Sequence, residues 1–159
     1  MFTIKAEARV NDDPDEPRLS AEQLYAALVR RARADSSRTP DLVPPGHVFE
    51  IIEDQGDRLT RRAVREDGKE SLARVTFHGG RLVVVDFIDG WQRGVIAQMV
   101  TTTEGGELTL VFTALSEIPG IEHNSPEEVA IANSRRNVMG SAPDQTIAYA
   151  RQLARSGDI

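Results

Sequence analysis

One acid stands inside an otherwise apolar strand, Asp86 in "RLVVVDFIDG", residues 81–90. In an apolar cavity its pKa would rise, and it could act as a general acid or base. One cation raises the matching question. Arg136, in "EEVAIANSRRNVMGSAPDQTIAYARQLAR", shares a helical phase with Val129, Ala132 and Ile147, so it is expected to point at the helix's packing partner. There it would stabilise a carboxylate, enolate or phenolate more strongly than water allows. Asn133, one turn earlier, could add a hydrogen bond. The plainer alternatives are an outward Asp86 beside Arg74 or Thr76, and an Arg136 that snorkels or pairs at a rim.

Other residue types narrow the chemistry further. Arg62 and Gln98 are candidate inward polar groups whose strand parity is open to either face. Trp91, the one tryptophan, follows a "DG" turn and either walls a ligand entrance or packs under a loop. Tyr149 lies off the main apolar phase and reads as structural. His47, His78 and His123 have no metal-ligand spacing and there is no cysteine, so neither a metal site nor a cofactor is expected. No GxGxxG, P-loop or GxSxG pattern occurs.

The elements that must position these residues come from a chain of 159 residues, read as a single domain over 1–159. Hydrophobic residues make up 40 % and charged residues 28 %, ordinary for a globular protein. The net charge of −6 argues against a nucleic-acid partner. No apolar run is long enough to span a bilayer, and "MFTIKAEARV" lacks an apolar signal core, so a cytoplasmic protein with no membrane partner is expected. Of the 19 basic residues only Lys5 and Lys69 are lysine. That skew reflects either a GC-rich genome or an arginine-lined site for carboxylate or phosphate, which the guanidinium fork binds bidentately.

Phe2, Ile4, Ala6, Ala8 and Val10 alternate with polar residues as a first strand. "SAEQLYAALVRRARA" follows as a helix, with Ser20 as N-cap and Gln23 at capping-box spacing. "DSSRTPDLVPPG" has room for a short helical turn before Pro44-Pro45. Six strands are then predicted over 47–53, 58–66, 70–78, 81–88, 92–102 and 107–115, separated by glycine-bearing turns, an antiparallel meander. The terminal helix begins at Ser125-Pro126. Its stripe of Val129, Ala132, Met139, Pro143, Ile147 and Ala150 keeps phase through Gly140 and Pro143, which favours one kinked helix over two.

This order fits an α+β helix-grip fold, a curved seven-stranded antiparallel sheet wrapped around a long C-terminal helix, with two short helical segments between the first two strands. Alternation assigns Val75, Phe77, Val83, Val85, Phe87, Leu110 and Phe112 to the concave face, with Met139 above them and Asp86 outward. One helix cannot fill such a concavity, so a cavity is expected.

Four stretches, "LSAEQLYAALVRRARADSSRTPDLVPPG", "RVTFHGGRLVVVDF", "LTLVFTALSEIPGIE" and "TIAYARQLARSGDI", resemble the AtaL-like group of the SRPBCC, or START and birch-pollen-allergen-like, superfamily. "NVMGSAPDQ" departs from that group's uninterrupted helix. The resemblance implies a small hydrophobic or aromatic ligand, such as a polyketide-like metabolite, between sheet and helix. It leaves three readings open. The first is a cofactor-free cyclase, dehydratase or isomerase of secondary metabolism with Arg136 as anion stabiliser. The second is a non-catalytic carrier or sensor, and the third an interaction module with a closed cavity. A monomer and a homodimer are equally compatible with the sequence.

Overall fold

A computed structural model describes all residues, Met1–Ile159. The strands are β1 (Phe2–Arg9), β2 (Val48–Asp54), β3 (Arg58–Val64), β4 (Glu70–His78), β5 (Leu82–Gly90), β6 (Arg93–Thr102) and β7 (Leu108–Glu117). They form one antiparallel sheet in the order β1-β7-β6-β5-β4-β3-β2. The meander therefore runs as its hairpin turns predict, and β1 closes onto β7. A helix α1 (Ala21–Ala32) and a 3₁₀ turn (Pro40–Leu42) lie between β1 and β2, and α2 (Pro126–Gly140) and α3 (Ala142–Ser156) end the chain. This is the helix-grip architecture expected from the order of elements.

Register sets the faces. Ile4, Ala114, Ile96, Val85, Val75 and Leu59 form one row across the sheet, and Ala6, Phe112, Gln98, Val83 and Phe77 form the next. Both rows face the helices, because Val75, Val83, Val85, Leu110 and Phe112 share a buried core with Leu24, Leu28, Ile147 and Leu153. Each such aliphatic side chain contributes about 1.5–3 kcal/mol by leaving water. Asp86 has the opposite parity and lies across from Arg74 and Val95 on the convex face.

α1 starts as its sequence dictates. The Ser20 hydroxyl accepts from the Gln23 amide while the Gln23 side chain accepts from the Ser20 amide, and Leu24, Ala27, Leu28 and Ala32 are buried. Beyond α1, the Asp35 carboxylate ties the chain to β2. It accepts from the Ser37 amide and hydroxyl at 2.9 and 2.6 Å and from the Ile51 amide at 3.0 Å.

The C-terminal helix is one long element bent at Ser141, where α2 passes into α3. Pro143 sits in the first turn of α3, where its missing N–H costs little. The buried stripe does not run straight through the bend. In α3 it follows Pro143, Thr146, Ile147, Ala150 and Leu153. In α2 Ala132 is buried, but Val129, expected in the stripe, is 49 % exposed. Winding back from between Thr146 and Ile147 at about 3.6 residues per turn reaches a point between Arg135 and Arg136. The irregular turn at Ser141 resolves this half-step in favour of the 128–132–135–139 line.

Candidate functional site

The helices cover the concave face unevenly. α1 packs on β5 and β6, α3 on α1, β1 and β7, and α2 on β1 and α3. Among the strands, α2 meets chiefly the edge strand β1. Phe87, Trp91, Ile96, Gln98 and Met139 are directed inward or toward α2, yet keep solvent-accessible surface. Trp91, Ile96 and Met139 pack around the small buried group formed by Phe2, Ile4, Ala114, Ile118 and Ala132. These residues form a partly covered apolar strip of the concave face, here called the groove, with the Gln98 carboxamide as a polar group at the same strand parity as Ile96.

Several expected cavity residues lie elsewhere. Val75, Val83, Val85, Leu110 and Phe112 face inward as alternation predicts, but they are packed into the core rather than lining open space. Phe77 is covered by the Arg33 guanidinium, 4.7 Å from its ring centroid. Ile96, absent from the sequence-based expectations, shares the parity of Gln98 and belongs to the groove. Its strand alternation is the signal that could have found it.

Three polar expectations need correction or placement. Arg136 is exposed rather than inward, and its Nη1 donates to Asn133 Oδ1 at 3.1 Å in solvent. The inward residue is its neighbour Arg135. Arg62 faces outward, hydrogen-bonded to the Glu70 carboxylate and 3.8 Å from Glu50. Its neighbour Arg61 takes the concave face, level with Ala73 and Phe87. Asp86 is on the convex face, so it offers no acid to the groove.

Arg61 Nη1 donates to the Ala32 carbonyl at 2.9 Å, and the guanidinium lies 4.5 Å over the Phe49 ring. Its Nε is buried without a hydrogen-bond partner. Burial lowers its pKa to about 10. For a base the sign is unfavourable: the charged form is penalised at neutral pH, and the penalty is relieved only as pH rises through that value. An apolar side chain of similar length removes that penalty, and with it only a bond to a neutral carbonyl and the contact with Phe49. Arg61→Met should therefore raise the unfolding free energy in urea by about 1 kcal/mol. A loss of that size would mean that the bond to Ala32 outweighs the burial.

The Trp91 end of the groove gathers cations. Arg65 and Arg135 stand over the indole with guanidinium carbons 4.4 and 4.7 Å from its centroid, and Lys69 Nζ is 5.7 Å away. Arg135 Nη2 donates to the buried Gln92 Oε1 at 2.5 Å, which joins α2 to the β5–β6 turn. Burial, and then the charge of Arg65, lower the Arg135 pKa to about 10. Trp91 is fixed beneath them by its own amide, which donates to the Glu70 carbonyl at 3.0 Å.

Titratable groups of the kind acid/base chemistry needs are not on this face. In β1 and β4–β7 the inward residues include no carboxylate and no imidazole. No three metal-ligating side chains come together. Two clefts of about 150 and 230 Å³ open elsewhere, at Glu53, Arg58 and Arg74 and at Arg9, Arg18 and Glu107, and neither borders α2. No helix is long and apolar enough to cross a membrane.

The fold recurs in solved structures. The protein TTHA0849 from Thermus thermophilus superposes with a TM-score of 0.70 at 14 % identity, covering 98 % of this chain and 99 % of that one. The Zhui aromatase/cyclase from Streptomyces sp. R1128 gives 0.68 at 13 % identity, with coverages of 98 % and 97 %. A point mutant of norcoclaurine synthase from Thalictrum flavum, bound to a transition-state analogue, gives 0.63 at 18 % identity, with coverages of 99 % and 96 %. At such identities the likeness is one of fold. No curated protein matches the sequence. Residues 4–157 match a family model described as AtaL, acetylaranotin biosynthesis cluster protein L.

Proposed function

The chain belongs to the AtaL family, that of acetylaranotin biosynthesis cluster protein L, and on that premise we propose that it binds a small, largely apolar or aromatic organic molecule in the groove between its sheet and α2. The observation that carries this reading is the accessible surface left on Phe87, Trp91, Ile96 and Met139, large apolar side chains turned toward the helix rather than to bulk water. Water against such a surface is displaced favourably by an apolar ligand. Fold relatives that include an aromatase/cyclase and a norcoclaurine synthase are in keeping with it.

Between catalyst and carrier, the groove favours the carrier or sensor. The polar groups nearest its apolar surface are Gln98 and arginines, which can orient or stabilise charge but do not exchange protons readily near neutral pH. The one buried carboxylate of α2, Glu128, is held by the N-terminal ammonium at 2.7 Å and by His123 at 3.0 Å. A cyclisation or dehydration here would have to draw its proton acceptor from the substrate itself or from water.

The neutral dye N-phenyl-1-naphthylamine tests the site. It should bind saturably and one-to-one with a dissociation constant on the order of 10 μM. Binding should quench the emission of Trp91, the single tryptophan. Absence of saturable binding to protein that keeps its near-ultraviolet circular dichroism would overturn the proposal.

A further inference from the structure

We infer that the Trp91 end of the groove is an anion seat, in which Arg135, with Arg65 nearby, receives the carboxylate or phenolate of an aromatic acid whose ring system lies along Ile96 and Met139. The inference rests on the groove being the ligand site and adds the chemical class of what enters it.

Charge points to it first. Three cations gather around one indole, in a chain whose net charge is −6. The carboxylates at this end of the sheet are engaged by cations other than Arg135. Glu70 is held by Arg62 on the convex face and Asp89 pairs with Arg93 at 3.1 Å. Asp67 pairs with Arg65 itself at 3.5 Å, so the cation left without a carboxylate under the helix is Arg135. Arg135 makes no ion pair and meets only the neutral oxygen of Gln92. Two guanidinium groups held near one ring repel each other, and the indole face offsets only part of that repulsion. A bound anion would neutralise the excess.

Preorganisation points the same way. Arg135 is oriented by a buried acceptor below it and an indole beside it, yet the side chain is not fully buried. Its fork is thus restricted before any ligand arrives, and less freedom is lost on binding. A carboxylate or phenolate can take two guanidinium N–H donors in one plane. Burial and the Arg65 charge both press Arg135 toward its neutral form, a pressure that an anion removes.

The surface adjoining the cations narrows the ligand. Ile96 and Met139 pack with Trp91 around the same small cluster. The seat therefore continues into apolar surface, which suits an anion carried on a flat hydrocarbon skeleton better than a free inorganic ion.

The test is displacement of bound N-phenyl-1-naphthylamine by a matched pair, 2-naphthoate and the uncharged 2-naphthamide. The wild-type protein should bind the carboxylate at least about ten-fold more tightly than the amide. In Arg135→Met the ratio of the two dissociation constants should fall to near one, and Arg135→Lys should restore part of it. The ratio is insensitive to a general loosening of the fold, which would weaken both compounds together. Equal displacement by the pair, displacement by neither, or a preference that survives Arg135→Met would overturn the anion seat while the dye still marks a ligand site. Failure of the dye itself to bind would remove the groove as a ligand site, and the seat with it.

Discussion

Gly94→Ala should cost the domain on the order of 4 kcal/mol or more, most of the stability of a protein at the low end of the usual range of about 5–15 kcal/mol. Gly94 opens β6 with φ of +120°, a conformation L-residues avoid. A Cβ built there would stand 1.9 Å from the Leu115 carbonyl oxygen and 2.9 Å from its carbon. Those atoms belong to the paired backbone of β7, so they cannot move aside as a flexible side chain would. Strain and overlap therefore add at one position. Gly94 lies opposite Phe87 and Ser116, paired on both sides within the sheet. Urea denaturation checks the prediction. Gly68→Ala is the control, because it has positive φ of +80° but nothing within reach of its Cβ, and should cost only the conformational part. Equal losses for the two variants would mean that the backbone contact at Gly94 is unimportant.

Asp35→Ala should cost about 3 kcal/mol at neutral pH. Its carboxylate is buried and holds the turn after α1 to β2. The Ser37 hydroxyl, then the Ile51 and Ser37 amides and the Arg38 amide, lower its pKa from 3.8 to about 2 against a smaller opposing effect of burial. For a carboxylate with a depressed folded-state pKa the stabilisation is complete above the unfolded value, and it is lost as pH falls through the folded one. Wild-type stability should therefore decline between about pH 4 and pH 2, and the Asp35→Ala protein should show a shallower decline over that interval. Asp35→Asn, which keeps one acceptor oxygen, should fall between the two. Parallel pH profiles for wild type and Asp35→Ala would assign the acid sensitivity to other carboxylates.

Much of the fold was legible because its signals are local. Alternation of period two marks the strands, and glycine at each break marks the hairpins, so the meander order follows from chain connectivity alone. The capping box at Ser20 and Gln23 fixes the start of α1 from four consecutive residues. Strand parity was equally readable wherever a strand alternates cleanly, as in β5, and there Asp86 is outward by the same rule that turns Val83, Val85 and Phe87 inward.

Parity was unreadable where polar residues sit side by side. In "RLTRRAVRE" two arginines are adjacent, and composition offers no reason to bury one rather than the other. Pairing with β4 decides it: Arg61 lies level with Ala73 on the concave face, and Arg62 is drawn outward to Glu70 and Glu50. The groove suffers a second ambiguity of the same kind on the helix. Arg135 and Arg136 are separated by one step of about 100°, and the apolar stripe read from sequence runs through Arg136, whereas the buried line of α2 runs through Ala132 and Arg135.

The sequence by itself thus determined the helix-grip order, the apolar character of the concave face and the presence of an unusually arginine-rich chain. Only the tertiary structure decided which arginines serve the interior. Strand pairing and the turn at Ser141 set side-chain direction by contacts between residues far apart in the chain. Periodicity carries no information about a half-step of helical phase across a bend. For that reason Arg135 over Trp91, and not Arg136, is the cation at the groove.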